Sequence, residues 1–176
     1  MYNEKFVSIH IPKNNQEKDI IRDAQELDVE VLIVGKSYIS YYPISDRMSD
    51  AERRGEFYSQ KYSGKILICS RFKELFFIEL FEAGEMLAQV LWMESEVANT
   101  LKPQLILGDI EPEKLIDESL YENGFNYRKK EDFEKIDLFL QRKYHLYVDE
   151  PQKQQLKKLK LLEHSGNLFI YDGRNI

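Results

Sequence analysis

Gly35-Lys36-Ser37 has the residue types that close a phosphate-binding loop, where backbone N–H groups cradle phosphates beside a lysine. Such a loop needs a glycine five residues earlier, and position 30 is Glu. The residues that follow, Tyr38-Ile39-Ser40-Tyr41-Tyr42, read as a strand, so no helix N-terminus would face a phosphate. The triplet is a turn.

Asp109, Glu111 and Glu113 have the 1-3-5 spacing of a calcium loop. Lys114 stands where that loop needs Gly, and Leu120 where it needs a bidentate Glu. The turn and the strongest ligand are both missing, so no metal or other cofactor is expected. The three histidines are scattered. His10 alternates with Phe6 and Ser8 on a strand, His145 lies beside Tyr144 with Asp149 four residues on, and His164 falls near an expected helix C-terminus, where the dipole favours a partly charged imidazole. None has a recognised metal-ligand spacing. Cys69 closes the apolar run Ile66-Leu67-Ile68, where a thiol packs as a small hydrophobe. Arg71 on the same strand face is weak support for a nucleophile. No catalytic residue is assigned.

Acids are dense but unevenly placed. Residues 1–73 carry 12 bases and 11 acids, and residues 123–176 carry 11 bases and 8 acids. Residues 74–122 carry 2 bases and 12 acids, a net charge of −10 inside a chain of net −6. Some of these acids suit a helix N-terminus after Pro112. Taken together they predict a surface that attracts a basic protein, since a one-sign patch raises association rates by ~10–10³-fold. Glu82, Glu85, Glu94, Glu96, Asp109, Glu111 and Glu113 are the candidate partner-binding residues. Phe81, Trp92 and Met93 lie in the same stretch, as core residues of a hairpin or as anchors of an interface.

The functional expectation is a non-catalytic binding protein, in its sharpest form an immunity- or antitoxin-type inhibitor of a basic partner. The alternative is a carboxylate-dependent hydrolase or transferase with Mg²⁺, drawing on Asp109, Glu111, Glu113 and His10 or His145. A third reading places Lys153, Lys157, Lys158 and Lys160 on a phosphate-touching helix, and the overall acidity argues against nucleic acid. Arg53-Arg54 is the other basic candidate.

The elements that must position these residues follow from periodicity. Phe6 to Ile11 reads as a strand. Asn14 offers an N-cap to a helix over 15–28, with Glu17 returning the bond. Strands follow at 29–34 and 38–44. Ser49-Asp50-Ala51-Glu52 is a capping box for a helix whose face carries Met48, Ala51, Tyr58 and Tyr62 and which stops at Gly64. Gly55 weakens it by ~1 kcal/mol relative to Ala. Ile66 to Phe72 is a strand, and Phe76 to Phe81 and Met86 to Trp92 flank the turn Glu82-Ala83-Gly84-Glu85. Helices are expected at 95–101, from Pro112 to Gly124, along Phe133, Ile136, Leu140, Tyr144 and Tyr147, and from Pro151 to Gly166 with Leu156, Leu159 and Leu162. Leu168 to Tyr171 is a closing strand.

Consecutive strands favour an α+β fold over a doubly wound one. The expectation is a single compact domain over 1–176, with a mainly antiparallel sheet, packed helices and a helical C-terminal part. Residues 1–94 are its sheet-rich part and 95–176 its mainly helical part. A length of 176 residues suits one domain. One cysteine excludes an intramolecular disulfide and fits a reducing compartment. The N-terminus shows no secretory pattern and no run approaches the ~20 apolar residues of a membrane span, so a cytoplasmic protein is expected.

Overall fold

On the first strand, β1 (Lys5–Pro12), successive side chains enter two different buried environments. Val7, Ile9 and Ile11 join one apolar cluster, while Ser8 and His10 are equally buried on the opposite face. A strand buried on both sides needs a covering layer on each. The computed structural model describes residues 5–24, 29–43, 48–72, 75–93, 96–116, 134–144, 160–165 and 168–172, and it contains both layers.

The further strands are β2 (Val29–Val34), β3 (Tyr38–Pro43), β4 (Ile66–Phe72), β5 (Leu75–Glu82), β6 (Glu85–Met93), β7 (Glu96–Leu101), β8 (Lys160–Ser165) and β9 (Leu168–Asp172). They form one sheet in the order β7-β6-β5-β4-β1-β3-β2-β9-β8. Every neighbouring pair is antiparallel except β2 with β9. Helices α1 (Glu17–Ala24) and α2 (Met48–Lys61) cover one face, placing Ile20, Ala24, Tyr58 and Tyr62 against Ile9, Ile68 and Phe81. Helix α3 (Gln104–Leu107), a 3₁₀ turn (Pro112–Leu115) and helix α4 (Glu134–Tyr144) cover the other. There Ile106, Leu107, Leu115, Ile136, Phe139 and Leu140 meet Leu67, Phe76, Ile78 and Trp92. The architecture is thus α+β with a mainly antiparallel sheet, packed helices and α4 in the C-terminal part. No helix among the described residues is long and apolar enough to cross a membrane.

The β5–β6 hairpin matches its sequence signal. Its two loop residues, Ala83 and Gly84, have φ of 52° and 85°. Two left-handed residues in succession give a turn whose twist matches the strands. Gly55 has a packing role: a methyl group there would collide with the Phe81 ring, so its absence lets α2 approach the sheet.

Four local expectations are corrected. Residues 96–101 are a strand rather than a helix, because Val97 and Thr100 favour extended backbone and β6 supplies a ladder, pairing Val97 with Trp92. From Pro112 only one 3₁₀ turn forms, and Ile116 is extended, with φ −105° and ψ 143°. The helix expected from Pro151 fails over 160–165, which pairs with β9 as strand β8. Short leucine runs suit either state, and pairing decides. Asn14 does not cap α1. It has φ 37° and directs its amide to the Ser63 carbonyl at 3.5 Å. Gln16 takes over the junction, donating to the carbonyls of Pro12 at 2.9 Å and Ser63 at 2.8 Å and accepting from the Ser63 N–H at 3.0 Å. Residues 117–133, 145–159 and 166–167, with the remaining parts of the expected C-terminal helices, lie outside the described residues.

Candidate functional site

The exposed acids fall into two groups separated along the β5–β6 hairpin. Glu82 and Glu85 face each other across the two-residue turn, and both are exposed. Glu96 pairs with Met93 at the other end of β6. Eight steps of ~3.4 Å along β6 separate these ends, about 27 Å. Glu111 and Glu113 flank Pro112, whose carbonyl accepts the indole N–H of Trp92 at 3.0 Å. That bond ties both to the end of the sheet that carries Glu96. Asp109 lies on the segment leading there from α3, and is also exposed. Glu94 lies outside the described residues.

Among the described residues none of these six acids has an ion-pair partner. Met93 is 49% exposed beside Glu96. Trp92 and Phe81 are core residues on opposite faces of the sheet. The Glu96 end therefore combines three uncompensated carboxylates, Glu96, Glu111 and Glu113, with the exposed apolar side chain of Met93, and Ile110 beside Glu111 is exposed as well, a composition suited to binding a basic surface.

The candidate catalytic groups lie elsewhere. His10 is fully buried between two serines, with Nε2 at 2.9 Å from Ser8 Oγ and Nδ1 at 2.7 Å from Ser40 Oγ. Burial lowers its pKa to about 3, so the ring is neutral, with one nitrogen donating and the other accepting. Cys69 pairs in register with Ser8 and is fully buried. Burial, reinforced by the charge of Asp137 on α4, pushes its thiol up despite a hydrogen bond with Ser8. A neutral imidazole and a thiol held protonated form a structural polar row, not an activated nucleophile. Gly35-Lys36-Ser37 is the β2–β3 turn, with the Gly35 N–H bonded to the Tyr38 carbonyl at 2.9 Å. Arg53 and Arg54 lie on α2. His164 and Lys160 belong to β8, while His145, Lys153, Lys157 and Lys158 lie outside the described residues. Among the described residues no group of three or more His, Cys, Asp or Glu is arranged to hold a metal ion.

One group was missed by sequence reasoning. Glu79 is 5% exposed on the α2 face of β5. Its Oε1 accepts from Gln89 Nε2 at 2.8 Å, and Gln89 Oε1 accepts from Asn99 Nδ2 at 3.4 Å, so a polar row crosses β5, β6 and β7. Burial raises the Glu79 pKa to about 7; the Gln89 bond opposes this and the charge of Glu52 adds to it. The available signal was a lone acid within Leu75-Phe76-Phe77-Ile78-Glu79-Leu80-Phe81. Comparisons with family models, with curated proteins and with solved structures return no match to this chain.

Proposed function

We propose that this chain is a non-catalytic binding protein that takes a basic protein partner on the acidic end of its sheet. The observation that carries the reading is the grouping of Glu96, Glu111 and Glu113, exposed and without ion-pair partners among the described residues, around the Trp92–Pro112 bond. Uncompensated like charges at one place repel one another and favour an oppositely charged partner. Met93 supplies an apolar contact at the same place. An inhibitor of the immunity or antitoxin kind, working in the cytoplasm, is the sharpest form of this reading. Covering a basic, nucleic-acid-handling surface requires charge complementarity and no chemistry.

The test is a pull-down from native lysate with the full-length protein at increasing salt. Capture by the wild type should weaken as salt rises. The triple variant Glu96→Lys, Glu111→Lys, Glu113→Lys should lose it. The double variant Glu82→Lys, Glu85→Lys, at the far end of the hairpin, should retain it. Capture that survives the triple reversal overturns the reading.

A further inference from the structure

A cavity of about 480 Å³ opens between α3, the 3₁₀ turn and α4, on the outer side of the second helical layer. Its floor is apolar. Leu107, Leu115 and Phe139 are buried there, and Ile110 and Leu138 rise as walls, 41% and 43% exposed. Side chains of that size are usually covered, and burying them is favourable by ~25 cal/mol per Å². The rim carries only positive charge among its lining residues: Lys114, Lys135, Arg142 and Lys143. In the cavity's own stretch of chain the exposed acids Asp109, Glu111 and Glu113 do not line it.

Lys143 is held in place. Its ammonium donates to the Ile106 carbonyl at 2.9 Å and lies 5.6 Å from the Phe139 ring centre and 5.4 Å from that of Tyr144. Gly108, with φ 65°, gives it room: an added Cβ would stand 3.2 Å from the ammonium. The Tyr144 hydroxyl donates to the same carbonyl. A fixed cation above an apolar floor is oriented before any ligand arrives, which lowers the ordering cost of binding. Arg142 and Lys114 have no ion-pair partner among the described residues. The guanidinium of Arg142 offers a planar fork that matches a carboxylate.

We infer that this cavity binds a small organic anion with a hydrocarbon body, of the class of medium-chain carboxylates. The volume lies within the ~300–1,000 Å³ of small-molecule sites, which favours such a ligand over an acidic peptide helix. The floor selects the hydrocarbon, and the rim selects the negative head. The cavity shares the 3₁₀ turn with the acidic end of the sheet but is lined by none of its acids, and the assignment does not depend on the partner proposed there.

Isothermal titration of the full-length protein with octanoate and decanoate tests the assignment. The expected result is a one-to-one isotherm, tighter for decanoate. The variant Arg142→Ala, Lys114→Ala changes exposed residues only and should weaken binding about tenfold. Leu138→Asp, also exposed, should abolish it, with circular dichroism matching the wild type. 1-Octanol and inorganic phosphate should each bind at least about tenfold more weakly than octanoate. Four outcomes overturn the proposal: no binding of either carboxylate, affinities unchanged in both variants, octanol equal to octanoate, or phosphate equal to octanoate.

Discussion

The indole Nε1–H of Trp92 donates to the carbonyl oxygen of Pro112 at 3.0 Å. This acceptor is the one that the Ile116 N–H would use if the helix begun at Pro112 continued. Instead the Ile116 N–H turns to the Glu113 carbonyl at 3.3 Å, and the segment stops after one 3₁₀ turn. A core residue of β6 thus fixes a surface segment and, with it, the position of Glu111 and Glu113. Trp92→Phe removes the donor together with part of the bicyclic ring, at a fully buried position. It should cost about 2–4 kcal/mol, since the Pro112 carbonyl loses its partner and the smaller ring leaves a cavity. Urea denaturation measures this, and a loss below ~0.5 kcal/mol would mean that the bond contributes little.

Gly55 and Phe81 make a second such relationship. In an open helix Gly→Ala stabilises by ~1 kcal/mol. Here the added methyl meets the Phe81 ring, a fully buried side chain. Overpacking of this kind costs ~1–3 kcal/mol. Gly55→Ala should therefore destabilise the protein despite its better helix propensity. The pair Gly55→Ala, Phe81→Leu should recover part of the loss relative to the sum of the single changes, and additive losses would argue against the contact.

Cys69 allows a clean test of burial, because the chain has one cysteine. Its thiol is fully enclosed and pushed up by burial, so little thiolate forms and reagent cannot reach it. Ellman's reagent should find no reactive thiol in the native protein and one per chain in denaturant. Rapid labelling of the native state would contradict the buried row Ser8–His10–Ser40–Cys69.

The strands with strong local signals were legible in the sequence: the hairpin about Ala83-Gly84 and the β-branched runs of β1, β2 and β4. What was not legible depends on partners distant in the chain. Residues 96–101 and 160–165 extend because β6 and β9 offer ladders. Asn14 yields to Gln16 because Ser63, 47 residues beyond Gln16, provides a donor and an acceptor. Charge segregation along the chain was visible, but its division between two ends of a hairpin was not, since it needs the strand register. In sequence Glu79 is one acid among the twelve of residues 74–122, because its burial depends on the packing of α2 over the sheet and not on its neighbours in the chain.

Glu79 and His10 make opposite contributions to stability as pH changes. The native pKa of Glu79 is raised from 4.5 to about 7, so the folded state binds the proton more tightly than the unfolded one. Its stabilising contribution is complete below pH 4.5 and is lost as pH rises through about 7. At ~1.4 kcal/mol per pH unit the loss is on the order of 3 kcal/mol. The native pKa of His10 is lowered from 6.5 to about 3, so its contribution is complete above pH 6.5 and is lost as pH falls toward 3. Between pH 4.5 and 6.5 the two slopes oppose each other, and the wild type should show a nearly flat stability there. Glu79→Gln keeps a side chain able to meet Gln89 and removes the carboxylate. Its stability should climb from pH 4.5 to 6.5, then level off, and exceed that of the wild type above pH 7. Urea midpoints across pH 4–8 read this directly. Parallel curves for variant and wild type would show that Glu79 keeps an ordinary pKa and that the Glu79–Gln89–Asn99 row is open to water.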